Sequence, residues 1–179
     1  MLMEKLLTMQ PPRTIREVFD ALPEGTLAQL IENQLVMSPS PTDNHQRVLN
    51  RINFLILKYL EDNPIGEVRI APYDVHLDDK NVFQPDILFL RNDQLPKIQK
   101  VGFHGAPALV IELLSPGAAR YDLHQKKAAY ERSGVQEYWI VDPDTKEVEG
   151  YYLENAKYGE AVRLKGTISS RLLGEDFHF

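Results

Sequence analysis

The chain has 179 residues, of which 43% are hydrophobic and 26% are charged, with a formal net charge of −6. This composition is typical of a soluble globular protein, and the acidic balance argues against a broad, nonspecific polyanion binder. The absence of cysteine excludes disulfides and thiolate metal sites, which fits a cytoplasmic protein. The apolar runs are far shorter than the ~20 residues of a membrane span, so we expect no membrane partner. A local basic patch can still bind nucleic acid within an acidic total.

Two helices and a hairpin are predicted near the start of the chain. Residues 1–12 are expected to form a loose leader before a single domain over residues 13–179. A short helix follows the suitable N-cap Thr14, over residues 15–22. Apolar residues on both sides of a polar turn predict a hairpin over residues 27–37. The longest helix comes next and ends near residue 61, because apolar residues recur at helical spacing: Val48, Leu49, Ile52, Leu55, Ile56, Tyr59 and Leu60.

Strands dominate the rest of the chain. Turn residues divide the apolar segments into strands over residues 68–70, 73–77, 82–90, 108–114, 138–141, 147–153 and 159–164. One further helix is predicted over residues 119–132, and the segment 91–106 has the composition of a loop. Residues 168–179 are expected to add a short edge strand. With no internal repeat, this order of elements predicts one α/β domain.

Two carboxylates occur in or beside apolar strands. Asp86 follows Pro85 at the start of one strand, and Glu112 interrupts the apolar run from Ala108 to Leu114. A carboxylate inside a buried strand is costly unless it has a partner. Two acids from neighbouring strands can share a divalent cation, because Mg²⁺ prefers oxygen ligands. Taken singly, each acid is also compatible with an ordinary turn or edge-strand position.

The helix after Glu112 carries two lysines that could serve such a site. Leu123 and Tyr130 mark its apolar face, and Lys126 and Lys127 flank that face on opposite sides. A lysine near a bound cation can orient or deprotonate the attacking water, or neutralise charge that develops on a phosphate. Helical geometry does not choose between the two lysines. Both are equally compatible with the surface of an amphipathic helix.

These motifs resemble those of the PD-(D/E)XK nuclease superfamily. The pair Pro85-Asp86 and the later Glu112 match its acidic positions, and the resemblance extends from about Glu17 to Tyr152. The chain is most similar to the branch of restriction-endonuclease-like proteins whose active-site lysine has moved to the following helix. The specific part of the match is a spaced block of residues: Ile111-Glu112-Leu113-Leu114-Ser115-Pro116, Asp122, Lys126, Tyr130, Gly134-Val135, Glu137-Tyr138-Trp139 and Val141-Asp142-Pro143.

The resemblance implies a restriction-endonuclease-like core, in which helices flank a mixed central β-sheet that carries an N-terminal hairpin. It also implies a Mg²⁺-dependent endonuclease, with Mn²⁺ as a substitute, that hydrolyses nucleic acid phosphodiester bonds. DNA is the expected substrate, although no residue distinguishes it from RNA. Asp86 and Glu112 would bind the metal and would form the catalytic set with Lys126. The usual strand lysine is replaced by Leu114, and the matching helix position is Lys126 rather than Lys127.

Three further residues are accessory candidates. Related sequences tend to have acids where this hairpin has Gln29 and Gln34, which leaves Glu32 as the nearest third acidic ligand. His45 could contact phosphate or position water, or it could be a surface or capping histidine. Gln84 lies two residues before the first acid and therefore on the same strand face, where it could line the site or only pack.

Two classes of function remain open from the sequence. The first is the endonuclease. The second is a nucleic-acid-binding or assembly protein with weak or no catalysis on a nuclease-like scaffold, which the acidic balance and Leu114 favour. Nucleic acid is the expected partner in both. A homodimer that straddles a duplex is compatible with the resemblance, but no sequence feature favours it over a monomer.

Overall fold

The computed structural model describes residues 11–23, 25–115 and 121–179, of which residues 121–123 are described by their backbone alone. Within these residues the helices are α1 (Ile15–Asp20), α2 (Asp43–Asp62), a 3₁₀ helix (Asn92–Lys97), a π-helical segment (Tyr121–Lys126) and α3 (Lys127–Ser133). The described part of the chain contains no helix long and apolar enough to cross a membrane.

The strands fall into two mixed sheets and a separate hairpin. In chain order they are β1 (Ala28–Ile31), β2 (Gln34–Met37), β3 (Gly66–Ile70), β4 (Val75–Asp78), β5 (Asn81–Phe83), β6 (Ile87–Arg91), β7 (Phe103–His104), β8 (Leu109–Leu113), β9 (Glu137–Val141), β10 (Glu147–Glu154), β11 (Lys157–Tyr158), β12 (Val162–Lys165), β13 (Thr167–Ser170) and β14 (Glu175–His178).

The central sheet has the order β11-β10-β9-β8-β6-β3, with β12 beside β10. Its strands pair antiparallel except for β8 and β9, which run parallel. A second sheet of order β2-β1-β5-β4-β7 contains the predicted hairpin, and β13 pairs with β14 alone. The mixed sheet with helices on both faces confirms the predicted α/β fold.

Alternating side chains of the central sheet enter two different cores. Ile87, Ile111 and Trp139 pack with Ile52 of α2 and with the β13–β14 hairpin. The opposite face packs with α3 and the second sheet through another set: Leu88, Val110, Tyr138, Ile140, Ala129 and Tyr130. Successive strand residues therefore point to opposite helices, and this decides which helix each polar strand residue meets.

Side-chain caps fix the starts of the first two α-helices. The Thr14 hydroxyl accepts a hydrogen bond from the backbone N–H of Glu17, as its predicted role requires. Thr42 accepts in the same way from the N–H of His45. This cap places His45 in the first turn of α2, at the end of the helix that lies nearest the two sequence-predicted acids.

Several predicted element boundaries are wrong for local physical reasons. The strand predicted over residues 82–90 is interrupted at Gln84-Pro85-Asp86, where β5 of the second sheet ends before β6 of the central sheet begins. Proline cannot donate a ladder hydrogen bond, so the chain changes sheets at this point. The loop predicted over residues 91–106 contains the 3₁₀ helix and β7, and the tail forms a full hairpin instead of one edge strand.

The helix predicted over residues 119–132 also differs from the observed one. Its described part begins with the π-helical segment, continues as α3 and ends at Gly134, whose φ of +90° provides a left-handed cap. Residues 119–120 lie outside the described residues, as does most of the predicted leader. The prediction of one domain over residues 13–179 stays a prediction.

Candidate active site

A cavity of about 410 Å³ lies between the hairpin, the start of α2 and the edges of β6 and β8. Side chains from separate elements meet there. Its lining includes five of the six residues that the sequence selects for the site: His45, Gln84, Asp86, Glu112 and Lys126.

Asp86 enters the cavity from the point where the chain passes between sheets. Its Oδ2 atom accepts a hydrogen bond of 2.7 Å from the backbone N–H of Leu113. This contact is available because β6 and β8 are neighbours, with Ile87 opposite Ile111. His45 Nε2 lies 3.4 Å from the same oxygen. The carboxylate is therefore held by the backbone of the strand that carries the second acid.

Glu112 lies on the face of β8 that α3 covers, because residues 109, 111 and 113 face α2 instead. Only 3% of Glu112 is exposed. Its Oε1 accepts hydrogen bonds from Lys126 Nζ and from the Tyr130 hydroxyl, each at 2.8 Å. Two donors from one helix thus satisfy a carboxylate that would be costly to bury alone.

The structure brings Lys126, and not Lys127, to the candidate site. Lys126 is the last residue of the π-helical segment, and Tyr130 lies four residues later on the same helix face. The Lys127 ammonium lies 3.8 Å from the centre of the Tyr151 ring instead. Leu114, which stands where a strand lysine is usual, packs against the core on the α3 side.

Two further cavity residues, Gln84 and Gln29, are held by hydrogen bonds to their neighbours. The backbone N–H of Gln84 donates to Gln29 Oε1 at 3.1 Å, and the Gln84 amide donates to Asp74 Oδ1 at 2.8 Å. Gln29 also lines the cavity, and its amide donates to Ser38 at 3.0 Å. These bonds make Gln84 and Gln29 part of the cavity wall.

Glu32 lies outside this cavity, in the turn of the hairpin. Its carboxylate accepts a hydrogen bond of 2.7 Å from Arg132 on α3, and its backbone N–H donates to Asn81. Gln34, the other hairpin position considered, is exposed and is likewise absent from the lining. The structure therefore does not bring Glu32 together with Asp86 and Glu112.

The comparison with known families follows from this arrangement of acids and lysine. The model of the family Uma2, described as "Putative restriction endonuclease", matches residues 16–177 of the chain. The chain belongs to the Uma2 family. This membership confirms the resemblance to restriction-endonuclease-like proteins that the sequence motifs indicate.

A solved structure agrees with the Uma2 assignment at the level of fold. The chain is similar to a protein from Anabaena variabilis whose crystal structure is described as that of "a putative nuclease belonging to DUF820". The TM-score is 0.75 at 18% sequence identity, and the match covers 91% of this chain and 92% of the other. A comparison with curated proteins finds no match.

The donor chemistry of this Uma2 cavity fits a hard divalent cation. Asp86 and Glu112 provide two carboxylates on neighbouring elements, and Mg²⁺ typically takes one or two carboxylates plus water and substrate phosphate oxygens. The described residues contain no cluster of three or more His, Asp or Glu side chains that could hold a metal. A cation held by Asp86 and Glu112 would take its other ligands from water and substrate.

Tyr130 is the site residue whose role sequence reasoning did not identify. The sequence places it on the apolar face of the helix, and it is fully buried against Phe83 and Tyr138. Its hydroxyl nevertheless donates a hydrogen bond to Oε1 of Glu112, the same oxygen that accepts from Lys126. The spacing of four residues from Lys126 was the available signal, because residues at that spacing share a helix face.

Proposed function

We propose that this chain is a Mg²⁺-dependent endonuclease that hydrolyses phosphodiester bonds in nucleic acid, with DNA as its substrate. One observation carries the proposal. Asp86, Glu112 and Lys126 come from three separate elements and line one cavity, with the Lys126 ammonium 2.8 Å from Glu112. Membership of a family described as "Putative restriction endonuclease" supports the same chemistry.

Asp86 and Glu112 are the residues that would hold the cation. When bound, Mg²⁺ acts as a Lewis acid that polarises a phosphoryl oxygen and favours attack by water. The Leu113 N–H fixes one oxygen of Asp86, and Tyr130 fixes one oxygen of Glu112. Holding both carboxylates by neighbouring donors reduces the reorganisation that cation binding requires.

Lys126 would neutralise the negative charge that develops on the phosphate during hydrolysis. Lys126 is buried with its ammonium beside Glu112, and the residue also lines the cavity, so the charge would lie near a phosphate placed there. A positive charge in a site shielded from water interacts more strongly with a developing oxyanion than the same charge in solvent. His45 is a positioning residue in this scheme, because its Nε2 lies 3.4 Å from Asp86.

A second candidate is a nucleic-acid-binding protein that lacks catalysis, and one contact favours it. The Lys126 ammonium already pairs with Glu112, which occupies an oxygen that a cation would otherwise take. In that case the pair would serve only to stabilise the fold. The two candidates differ in a measurable way, since only the enzyme needs a divalent cation to act.

The test is cleavage of plasmid DNA and of RNA by the purified protein in Mg²⁺, in Mn²⁺ and in EDTA. The enzyme predicts that DNA is cut in Mg²⁺ or Mn²⁺ and left intact in EDTA. Asp86→Asn should abolish cleavage, because it removes a metal-binding charge. Asp176→Asn provides the matched control at an exposed acid of β14.

Isothermal titration with Mg²⁺ completes the test without relying on activity. Heat of binding that Asp86→Asn loses and Asp176→Asn keeps would support the metal site. Cleavage by folded Asp86→Asn at the rate of the unmodified protein would refute the assignment of the cleavage site to Asp86. Binding of DNA without any cleavage in either cation would favour the second candidate.

A further inference from the structure

One side of α2 carries a stripe of exposed basic and apolar side chains, which we call the α2 stripe. It consists of Arg47, Arg51, Phe54 and Lys58, whose spacings of four, three and four residues place them on one side of the helix. All four are exposed, and Phe54 is 55% exposed despite its aromatic ring. The Arg51 guanidinium lies 5.9 Å from the centre of that ring.

The cations of the α2 stripe differ from most arginines of the chain in having no acidic partner. Elsewhere arginine side chains lie within ion-pair distance of a carboxylate: Arg16, Arg69, Arg91, Arg132, Arg163 and Arg171. Across residues 11–23, 25–115 and 121–179, no ion pair involves Arg47, Arg51 or Lys58. Asp43 and Glu61 stand at the two ends of the stripe without pairing with it. Three positive charges outside any ion pair therefore lie together on one helix of an acidic protein.

The stripe begins at the end of α2 nearest the candidate active site but follows the opposite side of the helix. His45 and Gln46, in the first turn of α2, line the cavity, whereas Arg47 lies about 160° around the helix axis from His45, at about 3.6 residues per turn. From Arg47 to Lys58 the helix rises by about 16 Å at 1.5 Å per residue. One strand of duplex DNA carries a phosphate about every 3.4 Å along its axis, so this distance spans about five phosphates.

We propose that the α2 stripe binds the phosphate backbone of nucleic acid outside the cavity. This inference rests on the proposed function and extends it by naming the surface that holds the substrate. Lysine and arginine side chains bind phosphates without reading sequence, and an exposed aromatic ring can stack on an unpaired base. The stripe therefore supplies affinity and orientation for a polymer, while Asp86 and Glu112 belong to the cleavage site.

Charge favours nucleic acid over two other partners that an exposed Phe54 could attract, namely a second copy of the chain and an anionic membrane. A second copy of the chain packed about Phe54 would bring its own Arg51 and Lys58 against the same cations, which like-charge repulsion opposes. An anionic membrane would satisfy the charges, but α2 buries most of its apolar side chains, among them Val48, Ile52 and Ile56, and exposes only Phe54 and Leu57. A polyanion meets the cations without requiring a large exposed apolar surface.

The experiment compares two triple variants with the same change in net charge. One is Arg47→Gln, Arg51→Gln and Lys58→Gln, within the stripe. The control is Arg91→Gln, Lys157→Gln and Arg163→Gln, at cations that pair with acids on other elements. Binding of a fluorescein-labelled DNA duplex is measured by anisotropy in EDTA over a series of salt concentrations. Hydrolysis of bis(4-nitrophenyl) phosphate in Mg²⁺ reports on the cleavage site alone.

We expect the stripe variant to bind the duplex on the order of tenfold more weakly and to reduce the salt slope by about 0.9 per lost phosphate contact. The control variant should bind the duplex as tightly as the unmodified protein does. Both variants should hydrolyse bis(4-nitrophenyl) phosphate at the rate of the unmodified protein. Equal losses in the two variants, or no loss in the stripe variant while the unmodified protein binds and cuts DNA, would overturn this inference alone. Failure of the unmodified protein to bind or cut nucleic acid would remove the proposed function as well.

Two further measurements separate the other occupants. Sedimentation of the unmodified protein and the stripe variant would overturn the inference if the substitutions dissociate a dimer and leave duplex binding unchanged. Flotation with phosphatidylserine vesicles would overturn it if the stripe variant loses vesicle binding and keeps duplex binding. Circular dichroism should show both variants folded, because all six positions are at the surface.

Discussion

The Lys126 ammonium lies 2.8 Å from Oε1 of Glu112, and each of these residues is only 3% exposed. The two side chains come from a helix and a strand, and they are 14 residues apart in the chain. Removing one partner of a buried ion pair leaves the other charge without compensation, which typically costs about 3–5 kcal/mol. This pair therefore couples the stability of the domain to the chemistry of the candidate site.

Lys126→Met should lower both stability and cleavage. We expect the free energy of unfolding to fall by about 3 kcal/mol, the lower end of the usual cost of breaking a buried ion pair. The cost is at this lower end because Tyr130 still donates a hydrogen bond to Glu112. Cleavage should fall by at least about a hundredfold, because the charge that would face the phosphate is lost. Urea unfolding and plasmid cleavage measure the two effects.

Lys127→Met is the matched control for that substitution. Its ammonium contacts the Tyr151 ring, so the cost should be at most about 1 kcal/mol and cleavage should persist. Loss of cleavage in Lys127→Met together with activity in Lys126→Met would show that the wrong lysine has been assigned.

Tyr130→Phe should reduce cleavage although the side chain does not line the cavity. The substitution removes one hydrogen bond to the Glu112 carboxylate, worth about 1.5–3 kcal/mol for a charged acceptor. We expect lower thermal stability and also weaker Mg²⁺ binding by calorimetry, because Glu112 loses an anchor. Tyr59→Phe removes a hydroxyl that donates to the Leu173 carbonyl, and it should lower stability without changing Mg²⁺ binding. Equal Mg²⁺ affinity in the two variants would contradict the positioning role of Tyr130.

The stacked pair of His76 and His104 should make the domain less stable in mild acid. Burial, the adjacent His104 and the Arg16 guanidinium lower the pKa of His76 below its usual 6.5, against the opposing effects of Asp74 and Asp20. Between the folded and unfolded pKa values the unfolded chain binds more protons, so the free energy of unfolding increases with pH. The contribution is complete above pH 6.5 and is lost as the pH falls through the folded pKa.

Urea unfolding of the unmodified protein and of His76→Gln at several pH values from about 5 to 8 measures this contribution. The unmodified protein should lose more stability on acidification than the variant does. His178→Gln, at an exposed histidine of β14, should retain the pH dependence of the unmodified protein. Parallel pH curves for the unmodified protein and His76→Gln would refute the assignment.

Gly150→Ala should destabilise the central sheet. Gly150 lies opposite Trp139 in the pairing of β9 and β10, and an added Cβ would overlap the indole ring. Because Trp139 is fully buried, the ring has little space to move, and overpacking of this kind costs about 1–3 kcal/mol. Gly159→Ala adds the same methyl group where no atom lies within 4 Å. Thermal melts should separate the two variants, and similar melting temperatures would show that the indole can move aside.

The sequence predicted which residues meet in the cavity better than it predicted the boundaries of the helices and strands. Glu112 was identifiable because a charged residue in a buried strand requires a partner, and Asp86 because it precedes a second apolar strand. The mixed fold followed from the order of apolar runs. These inferences depend on burial and on the alternation of apolar and polar residues, and both can be recognised from short stretches of the sequence.

The remaining features depend on tertiary contacts. The choice of Lys126 over Lys127 requires knowledge of which helix face covers β8, and helical periodicity alone left both open. The division of one predicted strand at Pro85 depends on the second sheet, which no local pattern in the sequence predicts. Glu32 lies in the predicted hairpin, but the direction of its turn takes it to Arg132 instead of the cavity.

The placement of Lys126 on a helix and not on β8 has a consequence for how this site can vary. When a lysine and an acid alternate on one strand, their separation is fixed by the strand repeat. Here Glu112 and Lys126 are 14 residues apart in the chain, so an insertion, a deletion or a shift in the register of the π-helical segment could move the ammonium while both carboxylates stay in place. The position of the positive charge can therefore change independently of the acids, without any substitution in the central sheet.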